Sequence, residues 1–186
     1  MKFQPYAERS HGKMIEVLMN PKSKGPKIHY YMIRGGKKKK NITVWEAGKV
    51  GNEYIKTYGH YHVGNLDETY WILQGEGIIL LQKRKKNGDD EVEYVKAIFV
   101  KAGDKIYIPS GIGHLVANTG KTWLITSDNS PIADIDSASM PGHADYSAVN
   151  KMHGFAYYII EKNGKPAFAK NPRYKNIPKI IIKKLR

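Results

Sequence analysis

The stretch TYGHYHVGNLDETYWILQGEG, residues 57–77, sets two histidines one residue apart, then a glutamate, then an apolar run closed by Gly75-x-Gly77. On a β-strand, residues i and i+2 face the same side, so His60 and His62 can aim both imidazoles into one interior. Glu68 follows His62 after five residues and adds a carboxylate to the two nitrogens. Imidazole and carboxylate together, with coordination positions left open, suit iron, nickel, manganese or zinc.

The flanking sequence gives this pattern a β framework. Short β-rich runs cover 28–33, 42–47, 53–58, 69–73, 77–83, 92–100, 105–109, 114–118 and 122–127, with a last hairpin over 155–170. Turn signals separate them every eight to fourteen residues, including Asn87-Gly88 and Asn163-Gly164. Helical periodicity is weak, and 144–154 is the best short-helix candidate. Many short strands at even spacing predict an all-β barrel or sandwich. Pro5, Pro21, Gly25 and Pro26 predict an irregular N-terminal arm over 1–27. The barrel core is expected over 28–170 and a basic tail over 171–186. All 186 residues are read as one domain, long enough to bury a full core.

Composition narrows the function classes. There is no cysteine, which excludes disulfides and thiolate metal sites and fits a reducing compartment. The N-terminus lacks an apolar segment of signal-peptide length, and no run approaches a membrane span. The expectation is a soluble cytoplasmic protein. The net charge of +14 allows nucleic-acid binding or electrostatic steering of an anionic substrate. No nucleic-acid motif accompanies it, so a lysine-rich soluble surface is the favoured reading. The Lys37–Lys40 run reads as a solvated loop tip.

A second constellation extends the first. GDKIYIPSGIGHLVAN (103–118) carries a glycine, Pro109-x-Gly111, His114 and Asn118, a corner between strands followed by a third imidazole. This spacing matches the second motif of the cupin superfamily. His60, His62, Glu68 and Gly75 resemble its first motif, with a longer gap before the glutamate and Tyr54 at the usual leading glycine. The resemblance implies a double-stranded β-helix, or jelly-roll barrel, with His60, His62, Glu68 and His114 as metal ligands.

Within cupins, residues 42–82 and 143–174 resemble the archaeal-type glucose-6-phosphate isomerases: Ala-Gly-Lys-Val-Gly, Thr-x-Gly-His-x-His, Glu-x-Tyr and the Asn-Pro-Arg-Tyr ending. The resemblance covers roughly residues 26–174. It implies interconversion of glucose 6-phosphate and fructose 6-phosphate through an enediolate, a step of glycolysis and gluconeogenesis. It also implies one divalent metal, iron ahead of nickel, manganese or zinc, and a homodimer. Glu68, Tyr70 and His143 are the catalytic candidates, with Glu68 as base or as ligand only. Thr43, Thr57, Gly59, Tyr30 and Tyr146 are the substrate and phosphate candidates. The family's phosphate-contacting tyrosine falls at His29 or Tyr30, and Ala144 is inserted between His143 and Asp145-Tyr146. Alternatives are another metal cupin, such as a mannose-6-phosphate isomerase relative or a dioxygenase, and a non-catalytic sugar-binding cupin. Metal identity, proton versus hydride transfer, and glucose versus mannose selectivity stay open.

Overall fold

The computed structural model describes residues 7–34, 41–86, 88–131 and 144–185. The Lys37–Lys40 run, Asn87 and His143 lie outside these residues. The first half of the chain supplies strands β1 (Ala7–Ser10), β2 (Ile28–Ile33), β3 (Asn41–Trp45), β4 (Lys49–Val50), β5 (Glu53–Tyr54), β6 (Tyr61–His62), β7 (Glu68–Gln74) and β8 (Glu76–Arg84). The second half adds β9 (Val92–Lys101), β10 (Lys105–Ile108), β11 (Ile112–Asn118), β12 (Leu124–Asp128), β13 (Ala144–Asp145), β14 (Tyr157–Lys162), β15 (Lys165–Lys170) and β16 (Ile181–Lys184). Helices are short: α1 (His11–Met14) and α2 (Ser147–Lys151), the latter inside the segment expected to be helical. No helix among the described residues is long and apolar enough to cross a membrane.

One sheet runs in the order β1-β2-β3-β12-β7-β10, and a second in the order β11-β8-β9-β16. Smaller sheets pair β13 with β6 and join β15-β14-β5-β4. Nearly all pairings are antiparallel, and the fold is the cupin jelly roll. In the first sheet the side chains alternate. Thr43, Trp45, Leu124, Thr126, Tyr70 and Ile72 are buried, while Ile42, Val44, Thr69 and Trp71 on the other face are half-buried. This is the period-two pattern of a sheet with one face on the core. β8 instead is buried continuously from Gly77 to Gln82, since β11 and β9 flank it and both its faces are covered. Each fully buried Ile or Leu there stabilises the fold by about 1.5–3 kcal/mol relative to exposure.

Gly75 makes the sharp turn from β7 to β8 at φ +81°, where a Cβ would come within 2.4 Å of the Trp123 carbonyl oxygen. The Asn163-Gly164 turn has φ of 54° and 73°, the left-handed pair that a two-residue hairpin needs.

The described parts of the N-terminal arm and the C-terminal tail both join sheets. In the N-terminal arm, β1 pairs with β2, and Lys56 and Glu53 tie down the segment after α1. The buried Lys56 ammonium donates to the Val17 carbonyl at 2.9 Å and lies 3.5 Å from Glu53 Oε1. Glu53 Oε2 accepts from the Met19 amide at 2.7 Å. In the C-terminal tail, β16 adds to β9 in parallel. The run expected over 53–58 is strand only at Glu53–Tyr54; from Lys56 onward the chain contacts β11 through isolated bridges.

Candidate active site

The isolated bridge between His60 and His114 builds the site. The His60 amide donates to the His114 carbonyl at 3.2 Å, and the reverse bond is 3.0 Å. Residues paired in this way project to the same side, and the two rings lie 4.4 Å apart. His62, two residues on, brings its ring within 5.1 Å of both. Glu68 enters at the first position of β7, opposite Ile108. Its Oε2 lies 3.2 Å from His62 Nε2 and 3.0 Å from His114 Nε2. One ligand atom from each of the four residues falls within 4.8 Å of the others. Opposite ligands on one ion, at bonds of 2.0–2.2 Å, span about 4 Å, so the set is close to closing around a cation.

The local chemistry fits a metal ion. The Leu66 carbonyl lies 3.1 Å from His62 Nδ1 and can only accept, so Nδ1 carries the proton. In neutral His62 this leaves a lone pair on Nε2, facing a carboxylate oxygen. Neither ring nitrogen of His114, nor Glu68 Oε2, makes a well-directed hydrogen bond among the described residues. A cation between them would engage His62 Nε2, His114 Nε2 and Glu68 Oε2 together. Burial opposes ionisation of Glu68, but His114, His62 and His60 outweigh it and hold the carboxyl well below its usual range.

Beside these residues is a partly enclosed cavity whose lining includes His60, Glu68 and His114. Tyr30, Thr43, Thr57 and Gly59 all line it. The Tyr30 hydroxyl accepts from Arg9 Nε at 3.0 Å and from the Tyr58 amide at 3.3 Å. Thr57 Oγ1 accepts from the Val116 amide at 3.0 Å. Lone pairs used in this way leave each O–H free to donate, which is what a bound anion requires. Gly59 sits at φ +84°, where a Cβ would meet Phe155 at 3.0 Å and Leu115 at 3.2 Å, so glycine alone fits comfortably. Tyr30, not His29, faces the cavity. His29 is turned to His11, whose Nδ1 is 2.9 Å from its Nε2.

Tyr70 and Tyr146 line the other side. Tyr70 packs edge-on to His114 at 5.6 Å, and Tyr146 lies 5.3 Å from His60. Burial raises both phenols, and the Glu68 charge raises them further, so both are neutral hydrogen-bonding groups at ordinary pH. His143 lies outside the described residues. The next two residues, Ala144 and Asp145, pair with His62 and Tyr61, against the strand that carries the second histidine.

Sequence reasoning missed several cavity residues. Arg34 and Asp128 line it, with Arg34 Nη1 3.6 Å from Asp128 Oδ2. Ser130 Oγ donates to Glu68 Oε1. Arg34 continues the Tyr30, Met32 alternation of β2, a signal that was available. Asp128 and Ser130 sit at the end of β12 with no motif to single them out.

A family model described as glucose-6-phosphate isomerase matches residues 25–176. The glucose-6-phosphate isomerase of Thermococcus litoralis is 34% identical over 135 residues, covering 72% of this chain and 62% of that protein. That of Pyrococcus furiosus is 36% identical over 135 residues, with the same two coverages. The chain thus spans 62% of the length of these curated relatives. Among solved structures, a predicted oxalate decarboxylase from Thermotoga maritima is 23% identical, covers 68% of this chain and 90% of its own, and has a TM-score of 0.43.

Fold and site together define a cupin with an inward-facing group of three histidines and a glutamate that could hold a metal. Within that class, the chain belongs to the glucose-6-phosphate isomerase family.

Proposed function

We propose that the protein interconverts glucose 6-phosphate and fructose 6-phosphate, with a divalent metal held by His60, His62, Glu68 and His114. The convergence of these four ligand atoms beside a cavity lined by His60, Glu68, His114 and several hydroxyl side chains carries the reading. When bound, the ion supplies polarisation of the substrate's carbonyl and hydroxyl oxygens.

The remaining work falls to the chain. Tyr30, Thr43 and Thr57 donate hydroxyls, and Gly59 its backbone, to the phosphate, so the sugar is anchored at one end. Tyr70 and Tyr146, kept neutral, hydrogen-bond the sugar oxygens. Glu68, kept ionised, takes the proton from the substrate carbon and returns it to the neighbouring carbon. A base must reach the C–H directly, so Glu68, if it also held the ion, would need a carboxylate oxygen free of it while the proton moves. His143 is assigned to ring opening by the family resemblance.

The reading takes iron ahead of nickel, manganese and zinc. It also takes residues 1–186 as one cupin unit, acting as a cytoplasmic homodimer in glycolysis and gluconeogenesis. These last points rest on the family resemblance. Turnover of fructose 6-phosphate by purified protein, lost to chelator and restored by one added metal, tests the whole. A protein that binds metal at the histidines yet turns over neither hexose phosphate would refute the substrate.

A further inference from the structure

Asn41, Asp128, Ser130 and Glu68 form one buried chain of hydrogen bonds, each residue 5% exposed or less. Asn41 and Asp128 face each other across β3 and β12, and Asp128 is paired with Tyr70 on the far side. Asn41 Nδ2 donates to Asp128 Oδ1 at 2.7 Å and to the Ser130 carbonyl at 3.0 Å. Both partners are acceptors, which fixes the orientation of the amide. The Ser130 amide donates to the same Asp128 oxygen at 3.1 Å. Asn129 Oδ1 accepts from the Thr69 amide at 2.7 Å, docking this turn on β7 next to Glu68. Pro131 comes next, and a residue before proline is confined to extended backbone, so Ser130 has little freedom left.

We propose that Ser130, clamped by Asp128 and Asn41, is a positioning residue that presents Glu68 to the metal through Oε2 alone. An ionised carboxylate has no proton to give, so the Ser130 hydroxyl donates to Glu68 Oε1. With Oε1 taken, Oε2 is the oxygen turned towards His62 and His114. Outer residues that orient a ligand in this way typically matter 10- to 100-fold in metal affinity. The proposal rests on the metal reading of the cluster and goes beyond it in naming what sets the carboxylate's denticity.

The test is cobalt(II) binding by the full chain, followed by its visible absorption bands and by chelator competition, in wild type, Ser130→Ala, Ser130→Thr and Ser130→Val. Ser130→Ala should weaken binding about tenfold or more and shift the bands. Ser130→Thr, which keeps the hydroxyl, should restore both. Ser130→Val, which has the shape of threonine without a donor, should behave like Ser130→Ala and serves in its place if that variant does not fold. A purely structural serine would lower the unfolding midpoint of the metal-free protein but leave the bands and affinity alone, and that result overturns the proposal. If the wild type itself takes up no cobalt, the metal reading falls as well. If it binds cobalt but isomerises nothing, only the substrate reading falls.

Discussion

His60 and His114 exchange both backbone hydrogen bonds across an isolated bridge onto β11, and their rings lie 4.4 Å apart. Two segments 54 residues apart in sequence are joined at the point where the candidate ligands converge. The backbone pairing should survive loss of a ring. His60→Ala, His62→Ala and His114→Ala are therefore expected to keep the far-ultraviolet spectrum of a folded β protein. Each should lose at least about tenfold in metal affinity, measured as metal retained after gel filtration. Wild-type metal content in all three would remove the site assignment.

The hydroxyls of Tyr30 and Thr57 line the cavity and accept from neighbouring donors, which leaves their own protons free to donate. Thr57→Val and Tyr30→Phe should each raise the KM for fructose 6-phosphate roughly tenfold, the weight of one hydrogen bond to a charged group. Steady-state kinetics should show kcat changing much less, because phosphate anchoring acts on ground and transition states alike. A fall in kcat with unchanged KM would move these residues out of the phosphate site.

Lys56 is buried with Glu53 and the Val17 carbonyl. Lys56→Met strips the partner from a buried carboxylate and should destabilise the protein by about 3–5 kcal/mol in urea titration. Replacing both Lys56 and Glu53 with apolar residues should recover part of that loss, since the Val17 carbonyl and the Met19 amide still lose their partners. An additive double variant would show that the two charges do not interact.

Asp128 has its carboxyl pushed up to about 6, by burial first and the Glu68 charge second, with Arg34 and Asn41 opposing. The folded protein thus binds a proton more tightly than the unfolded chain does. The contribution of Asp128 to stability is greatest below about pH 4 and is lost as pH rises through about 6. From its ordinary 3.8, the shift corresponds to about 3 kcal/mol at most. Urea titrations of metal-free wild type and Asp128→Asn at pH 4 and pH 7 should therefore diverge, with wild type losing ground at the higher pH. Parallel curves would mean that Asp128 is already ionised at pH 4.

The fold was legible because its signals are local. Gly75-x-Gly77, Asn163-Gly164 and the alternation through β7 each state their geometry within a few residues. The spacing of His60, His62 and Glu68, together with the glycine-rich corner before His114, let the cluster be named as a group. The Ser130–Asp128–Asn41 chain was not legible, because sheet register brings β3 beside β12 across more than 80 residues of sequence. Arg9 was hidden in a segment read as irregular, and it reaches Tyr30 only because β1 pairs with β2. The C-terminal strand was missed for a similar reason. Its lysines and isoleucines read as a basic tail until β9 offers an edge to pair with.

The central claim is a metal-dependent hexose-phosphate isomerase, and one assay addresses it most directly. Purified protein is stripped with chelator, divided, and supplied with single divalent metals while fructose 6-phosphate conversion to glucose 6-phosphate is followed. The account predicts no conversion in the stripped sample and recovery with at least one metal, absent in His114→Ala. Conversion that persists undiminished after the metal is removed would contradict it.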